Sequence, residues 1–139
     1  MRIQTDCENI NWNELVNLIK ETGLNHYTPD SHRAAFTNSY KVVFLFDEDS
    51  ALAGCGRMIS DGVRQGGIFD IVVKPAYQGR GLGRLIMDTL LKNTEKFNVY
   101  LYANTGKEKF YEKFAFAKPK TAMMRFADPE NARKKGFID

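Results

Sequence analysis

The chain has 139 residues, of which 43% are hydrophobic and 12% aromatic, so it can bury one core and is short for two domains. We therefore expect a single domain over residues 1–139, and the small excess of 20 basic over 17 acidic residues does not favour a nucleic-acid partner. Cys7 and Cys55 stand far apart without further Cys or His at metal-ligand spacing, and no stretch is apolar for about 18 residues. These features favour a reduced, cytoplasmic protein without a metal site or a membrane span over an exported, disulfide-stabilised one.

Two helical segments are expected in the first forty residues. The first helix is predicted to end near Gly23, a residue that favours the left-handed conformation at helix ends, and its apolar face consists of Leu15, Leu18 and Ile19. The second segment follows Pro29, with Asp30 or Ser31 as the capping residue, and is typical of a short helix or a loop.

An antiparallel three-stranded meander is predicted next. Two runs of strand-forming residues, 41–46 and 52–59, are joined by the polar turn 47–50. A second turn at Asp61 and Gly62 leads into the apolar, β-branched run "GGIFDIVVKP". The three strands are therefore expected to lie side by side.

The second half of the chain is expected to alternate helices and strands. A helix begins near Gly81, with an apolar face formed by Leu82, Leu85, Ile86 and Leu90. It is followed by a strand in "FNVYLYANTG", a short helix in "KEKFYEKFAF" and a last strand in "TAMMRF". This order predicts an α/β fold with a mixed, mostly antiparallel sheet flanked by helices.

The segment "PAYQGRGLGRLIMDTLL" places Gly79, Gly81 and Gly83 at alternate positions directly before that helix. The first amides of a helix lack internal partners and lie at the positive end of its dipole, so they bind anions. Glycines let such a loop adopt positive φ and approach a ligand closely, and Arg80 and Arg84 add positive charge. The spacing differs from the G-x-G-x-x-G and P-loop motifs. The alternatives are a phosphate-binding loop and a glycine-rich turn without a ligand.

The residues "IVVKPAYQGRGLGRLIMDTLL" resemble the acetyl-coenzyme A signature of the GCN5-related N-acetyltransferases, a strand ending in Val-x-Pro followed by Gln/Arg-x-x-Gly-x-Gly/Ala. Gln78, Gly81 and Gly83 match that pattern. The segment "LYANTGKEKFYEKFAFAK" is similar to the family's downstream strand and Phe-Tyr helix. Within the family, the motifs resemble most the plant serotonin (arylalkylamine) acetyltransferase branch and its small bacterial relatives. The sequence departs from the family at Ala115, usually Gly, and from that branch at Asn104, where Asp is common.

The resemblance implies a site for acetyl-CoA. In the family, the pantothenate arm pairs with the backbone of the strand that here holds Ile71, Val72 and Val73, so backbone groups of Val72 and Val73 are expected to face the ligand. The pyrophosphate rests on loop amides, which here belong to Gln78, Gly79, Arg80, Gly81, Leu82, Gly83 and Arg84. The resemblance also implies direct transfer to an amine, without a covalent enzyme intermediate and without a metal.

Asp70 is the first candidate to accept the proton that an amine must lose before it attacks. An alkylamine with a pKa of about 10.4 is mostly protonated at pH 7. Asp70 lies inside an apolar run, where a carboxylate is costly unless it is paired or functional. The competing interpretation is a salt bridge to Arg57 on the neighbouring strand. His26 and Asp61 are weaker candidates because both lie in predicted loops, and Asp61 is expected mainly to shape its turn.

Tyr111 and Asn104 take their candidate roles from the family resemblance. Tyr111 falls on the position of the family's tyrosine, whose hydroxyl reaches the sulfur of coenzyme A and donates to the leaving thiolate. The helical spacing puts Phe110 and Phe114 on one face and Tyr111 on another. Asn104 either holds the pantetheine amide or the acceptor amine, or serves as a helix cap or turn residue.

The predicted activity is acetyl transfer from acetyl-CoA to a primary amine of a small molecule or a peptide. The alternatives are a catalytically idle domain that binds CoA or a protein partner as a sensor, and a mononucleotide-binding protein that uses the glycine loop. The acceptor is expected to be selected by loops such as residues 24–39, whose His26, Tyr27 and Phe36 indicate a partly aromatic pocket. Dimers are frequent in the family, which leaves a homodimer open.

Overall fold

The computed structural model describes residues 1–139 and contains five α-helices and five strands. The helices are α1 (Trp12–Glu21), α2 (Pro29–Thr37), α3 (Leu82–Leu91), α4 (Glu108–Glu112) and α5 (Pro129–Lys134), and a 3-10 turn, Pro75–Tyr77, precedes α3. The strands are β1 (Arg2–Gln4), β2 (Lys41–Phe46), β3 (Leu52–Ser60), β4 (Gln65–Val73) and β5 (Asn98–Tyr100). The chain divides into two compact units, Met1–Val99 and Tyr100–Asp139.

The strands form one sheet in the order β1-β2-β3-β4-β5. The first four strands are antiparallel to their neighbours. β5 begins beside the start of β4, since the Asn98 amide donates to the carbonyl of Arg64 at 2.8 Å. The helix α3 connects these two strands, as parallel neighbours require. The sheet is therefore mixed, and the predicted α/β architecture is confirmed.

The two faces of the sheet are covered by different helices. On one face, Phe44, Cys55 and Val72 pack with residues of α1 and α2 in the main core. On the other face, α3 lies close to the glycines of β3, because a Cβ on Gly56 would stand only 2.7 Å from the side chain of Ile86. A glycine is needed there because the helix packs directly against the strand.

α1 and the meander are confirmed, and the apolar face of α1 is buried. The segment left open between helix and loop is the helix α2, but its cap is neither Asp30 nor Ser31. The hydroxyl of Thr28 accepts the amide of Ser31 at 3.1 Å. Because Pro29 occupies the first helical position, the capping residue is the one directly before it.

Residues 121–126, predicted as a last strand, form no strand. Met123 in this segment is 97% exposed, and an apolar pattern makes a strand only where a neighbouring strand pairs with it. In the second unit, the rings of Tyr102, Phe126 and Phe137 pack together, with centroids 5.3 to 6.2 Å apart. The short β1, and α5, which Asp128 caps, were not predicted because neither has a clear apolar pattern.

Candidate active site

β4 contains a bulge at Asp70, within the strand that the sequence analysis singled out. The register between β3 and β4 shifts between Cys55 and Arg57, so β4 has one extra residue there. Asp70 has a φ of 57°, in the left-handed region that few side chains adopt. The thiol of Cys55 donates to the Asp70 carbonyl at 3.5 Å. Burial raises the pKa of the Cys55 thiol well above its usual value, so this cysteine is an inert core residue rather than a nucleophile.

The last residues of β4 present backbone groups on the side away from β3. The Lys74 amide donates to the carbonyl of Ala53 at 2.8 Å, and in the same register Val72 pairs with β3. Because neighbouring residues of a strand point their N–H and C=O groups to opposite sides, those of Ile71 and Val73 face away from β3. We call the backbone of Ile71 and Val73 the β4 edge.

The β4 edge extends past β5, because β5 has only three residues and begins beside the start of β4. The longer strand expected from "FNVYLYANTG" is therefore shortened to Asn98–Tyr100. The geometry corrects the expectation that Val72 shows its backbone to a ligand, since these groups are used within the sheet. Ile71 takes its place beside Val73.

Five consecutive backbone amides, those of residues 79–83 including Leu82, donate to no group of the protein. The helical ladder of α3 begins with the amide of Leu85, which bonds the Gly81 carbonyl at 3.1 Å. At the other end of α3, the ammonium of Lys41 caps the last carbonyls. The carbonyls at the C-terminal end of α3 thus have a partner within the protein. The amides at its N-terminal end, where the helix dipole is positive, are free to bind an anion. We call residues 79–83 the amide cradle.

The cradle loop needs glycine for its conformation at two positions. Gly79 and Gly81 both have a φ of 79°, in the region where a Cβ is unfavourable. A Cβ on either residue would meet no atom within 4 Å, so the space around the loop is open. Gly83 lies within α3 and has no positive φ. The loop therefore has the conformation and the open front that a phosphate-binding loop requires.

Gln78, the first residue of the motif, supports the loop rather than joining the cradle. Its backbone amide donates to the Pro75 carbonyl at 3.3 Å, and its side-chain Nε2 donates to the Val73 carbonyl at 3.1 Å. Gln78 thus holds the end of the β4 edge against the turn that follows it. Arg80 and Arg84 are both exposed, one in the cradle and one in the first turn of α3.

The salt bridge between Arg57 and Asp70, the competing interpretation of Asp70, is present. Arg57 Nε donates to Asp70 Oδ2 at 2.6 Å, and the two side chains are only 15% and 27% exposed. Arg57 also donates to the Ser39 hydroxyl at 3.4 Å, and its guanidinium lies 5.3 Å from the ring centroid of Phe69. The second carboxylate oxygen, Oδ1, has no partner in the protein. The pair ties β3 to the bulge of β4 and is better shielded from water than a surface pair.

His32 is a buried titratable residue near Asp70 that was not predicted from the sequence. It is 3% exposed on α2, and its Nε2 accepts the amide of Tyr27 at 3.0 Å. Burial lowers the pKa of His32, while the negative charge of Asp70 raises it by a smaller amount. The ring is therefore neutral at pH 7. Its position four residues before the buried Phe36 could have revealed that it faces the core.

We expect the free energy of unfolding to fall as the pH drops below about 6.5, the pKa of an unfolded histidine. Because folded His32 has a lower pKa, the unfolded chain takes up the proton first, and the slope reaches at most about 1.4 kcal/mol per pH unit. Urea unfolding between pH 5 and 7.5 measures this slope. His32→Gln should flatten it, whereas the matched variant His26→Gln, at an exposed position, should keep most of it, because His26 is the smallest of the causes that lower the pKa of His32. The reverse result would contradict the assignment.

Asp61 shapes the turn between β3 and β4, as expected. Its Oδ1 accepts the amides of Arg64, Val63 and Gln65 at 2.9 to 3.1 Å. These bonds lower the pKa of Asp61 to about 2. A carboxylate held in this way is a poor proton acceptor, and the other weak candidate, His26, is exposed in its loop.

In the second unit, α4 carries Tyr111. Its ring packs edge-on against Phe110 and Phe116, with centroids 5.0 and 6.2 Å away. Phe110 and Phe114 share a face as expected, with centroids 5.4 Å apart. The ring of Tyr111 also touches the edge of Phe110, because large rings at adjacent helical positions still meet. Burial alone raises the pKa of the Tyr111 phenol, with no hydrogen bond of its hydroxyl to the protein contributing. Tyr111 thus keeps its proton and can donate it to a ligand.

Asn104 lies in the turn before α4. Its carbonyl accepts the amide of Lys107 at 2.9 Å, and the helix has no side-chain cap. Asn104 is therefore a turn residue through its backbone. Its exposed side chain is not used as a helix cap.

The sequence profile of the "Acetyltransferase (GNAT) family" matches residues 9–116, more than half of the chain. The chain belongs to this family. The matched residues of this GNAT protein include the β4 edge, the amide cradle and Tyr111.

Known proteins agree with the family assignment. "Uncharacterized N-acetyltransferase ycf52" of Pyropia yezoensis is 32% identical over 117 residues, which cover 80% of this chain and 67% of that protein. "Serotonin N-acetyltransferase 2, chloroplastic" of Oryza sativa subsp. japonica is 38% identical over 86 residues, covering 55% of this chain and 42% of that protein. A crystal structure from meticillin-resistant Staphylococcus aureus, described as "Probable Acetyltransferase", matches with a TM-score of 0.78 at 27% identity and covers 91% of this chain and 99% of that one.

These relatives do not support the alternative of a catalytically idle CoA-binding domain. In the GNAT protein itself, no group of three or more His, Cys, Asp or Glu side chains is arranged to hold a metal ion. None of its helices has the length and apolar character that a membrane crossing requires.

Proposed function

We propose that this GNAT protein transfers the acetyl group of acetyl-CoA to a primary amine of a small molecule or a peptide. The observation that carries the proposal is the amide cradle, in which the amides of residues 79–83 donate to nothing in the protein. These donors lie at the positive end of α3, where the helix dipole favours negative charge. They fit the diphosphate of CoA.

The β4 edge fits the other half of the same molecule. The N–H and C=O groups of Ile71 and the N–H of Val73 are open, whereas Gln78 already bonds the Val73 carbonyl. A pantetheine arm, which contains two amides, can pair with this edge as an added strand does. When bound, acetyl-CoA supplies the activated thioester. The chain supplies the donors that orient it.

The outward amide of Ile71, next to the bulge, is assigned to the acetyl carbonyl oxygen. Negative charge develops on that oxygen as the amine nitrogen bonds to the acetyl carbon, and a fixed backbone donor stabilises it. The C–S bond then breaks and the sulfur keeps the electron pair as the thiolate. Water accepts two protons, the one that the substrate ammonium loses before attack and the one that the nitrogen loses after it has bonded to the acetyl carbon. No side chain forms a bond to the acetyl group in this scheme.

Tyr111 is assigned as the donor to the sulfur, on the basis of the family resemblance. Complete proton transfer from a phenol of pKa about 10 to a thiolate of pKa about 8.5 is uphill by roughly 2 kcal/mol. Burial raises the pKa of Tyr111 further above its usual value. Tyr111 therefore acts by hydrogen bonding as charge develops on sulfur. Asn104, whose side chain is exposed, is assigned to the pantetheine amide or to the acceptor amine.

Asp70 is proposed to act chiefly by holding the bulge, because its Oδ2 is engaged by Arg57. Asp70→Asn tolerates the positive φ and can still accept from Arg57, so kcat should stay within about fivefold of wild type. Asp70→Ala loses this bond and adds roughly 1 to 2 kcal/mol of backbone strain, so it should lose more activity. Measurements of kcat against pH for both variants test this.

The opposite result would make Asp70 the proton acceptor through its open Oδ1. In that case Asp70→Asn would lower kcat by at least about 100-fold and would remove the acid limb of the pH profile. Circular dichroism of both variants would show whether the loss reflects unfolding.

The activity is tested by incubating the protein with acetyl-CoA and a panel of aromatic amines, polyamines and lysine peptides, with release of the CoA thiol as the readout. We expect saturable thiol release with at least one class of amine. Binding of acetyl-CoA without turnover on any amine would overturn the transferase proposal in favour of a sensor. Protection from heat by ATP and not by CoA would instead support the mononucleotide-binding alternative.

A further inference from the structure

Tyr77 links the β2–β3 turn to the start of the amide cradle. It is the last residue of the 3-10 turn, and its hydroxyl donates to Asp47 Oδ2 at 2.8 Å, across 30 positions of sequence. Asp47 is the first residue after β2. The segment that leads into the cradle is thus tied to the sheet by a side-chain bond as well as by the chain itself.

Asp47 is a fixed anchor for this bond. Its Oδ1 accepts the amides of Asp49 at 2.9 Å and Ala51 at 3.0 Å, and its own amide donates to the Ala51 carbonyl at 2.9 Å. The bonds from Ala51 and Tyr77 lower the pKa of Asp47. The carboxylate is therefore charged at neutral pH and held in one orientation toward Tyr77.

Arg80 lies over the ring of Tyr77. Its guanidinium carbon lies 5.3 Å from the centroid of the Tyr77 ring, within the range of a cation–π contact. Arg80 takes no part in the one salt bridge of the protein, which joins Arg57 and Asp70. Its charge is thus oriented by an aromatic face, exposed to solvent and not neutralised by a carboxylate.

Acetyl-CoA carries phosphate at two places, the diphosphate and the ribose 3′-phosphate. The loop offers two kinds of donor, the backbone amides of the cradle and the guanidinium of Arg80. The diphosphate matches the backbone amides of the cradle, which leaves the guanidinium for another anion. The ribose 3′-phosphate is a monoester that lies beyond the diphosphate, on the side away from the pantetheine arm. A planar guanidinium binds such a group through paired, charge-assisted hydrogen bonds.

We propose that Arg80, positioned by the ring of Tyr77, binds the 3′-phosphate of CoA and so selects acetyl-CoA over acetyl-dephospho-CoA. Arg80 is the specificity-determining residue, and Tyr77 with its anchor Asp47 is the positioning part. The inference rests on the proposed function, since it assigns one end of the same cosubstrate. It adds a discrimination that the amide cradle cannot make, because both forms of CoA carry the diphosphate.

The experiment compares KM for acetyl-CoA with KM for acetyl-dephospho-CoA in the same protein. For wild type we expect a preference of about 10-fold for acetyl-CoA, the size of one well-placed charge-assisted contact. Arg80→Gln should reduce the ratio to about 1 by raising only the KM for acetyl-CoA. The matched control Arg64→Gln removes one exposed arginine next to the start of β4, at the far end of that strand, and should keep the ratio.

The positioning role of Tyr77 is tested with two variants. Tyr77→Leu removes both the ring and the bond to Asp47, so the ratio should fall nearly as far as in Arg80→Gln. Tyr77→Phe keeps the ring without its anchor, so its ratio should lie between that of Tyr77→Leu and wild type. The ratio is an internal readout, because a general loss of stability changes both KM values alike.

Three outcomes would overturn the inference. They are equal KM values for the two cosubstrates in wild type, an unchanged ratio in Arg80→Gln, or an equal loss with both cosubstrates in that variant, which would assign Arg80 to the diphosphate. Failure of wild type to bind either cosubstrate, measured by calorimetry with CoA and dephospho-CoA, would instead count against the proposed function.

Discussion

Gly81→Glu is expected to raise the KM for acetyl-CoA by about 100-fold while the protein stays folded. Gly81 caps α3 with a φ of 79°, and a Cβ there meets no atom within 4 Å. The new side chain therefore fits sterically, but its carboxylate lies beside the amide cradle and repels the diphosphate. Initial rates at low ionic strength, where charge repulsion is least screened, measure the effect.

The control for Gly81→Glu is the same substitution at Gly23. Gly23 has a φ of 76° and an equally open surrounding, so both variants carry the cost of a side chain in the left-handed region, roughly 1 to 2 kcal/mol. Gly23 follows α1, which packs on the face of the sheet opposite α3. Its variant should lose stability and keep the wild-type KM. Equal KM values in the two variants would show that the cradle is not the diphosphate site.

Tyr111→Phe is expected to lower kcat by about 100-fold and to leave the KM for acetyl-CoA within about twofold of wild type. The substitution removes only the hydroxyl, so the contacts of the ring with Phe110 and Phe116 remain. The loss should appear in the chemical step, because the proposed hydrogen bond to sulfur strengthens as the C–S bond breaks. Steady-state kinetics with varied acetyl-CoA separate the two constants.

Tyr40→Phe serves as the matched control, because Tyr40 is 48% exposed and has no assigned role. It should leave both constants unchanged. Wild-type turnover in Tyr111→Phe would remove this residue from the mechanism and leave aromatic packing as its function. Thermal unfolding of both variants checks that the comparison is between folded proteins.

Local patterns predicted most of the elements that position the site. The apolar face of α1, the hairpin turn before β3 and the start of α3 near Gly81 follow from helical or strand periodicity and from turn residues. Each of these signals is contained in a segment of about ten residues, so it can be recognised without knowledge of the tertiary structure. Three features were not predicted. The local pattern of β1 and α5 is weak, and Asp30 and Ser31 competed with Thr28 as the predicted cap of α2.

The strand predicted over residues 121–126 shows the limit of the same reasoning. The segment is mostly apolar, with Ala122, Met123 and Met124 in a row, yet Met123 is almost fully exposed. A strand exists only through hydrogen bonds to a neighbour, and the presence of a neighbour is not a local property. The burial of His32 was not predicted either, because it depends on which elements pack against α2, and that is not a local property of the sequence.

The sequence by itself determined the family, through the resemblance of its two motifs, and the α/β order of helices and strands, because both are signals of residue type and spacing along the chain. Only the tertiary structure decided the partners of Asp70 and Tyr77, which lie 13 and 30 positions away along the chain. It also decided that Ile71 and Val73, rather than Val72, face away from β3, since the bulge at Asp70 shifts the alternation of the strand. The partner of Asp70 and the outward residues of β4 depend on how β3 pairs with β4, and the partner of Tyr77 depends on where the 3-10 turn meets the end of β2. These are contacts between segments far apart in sequence, so no short stretch of residues predicts them.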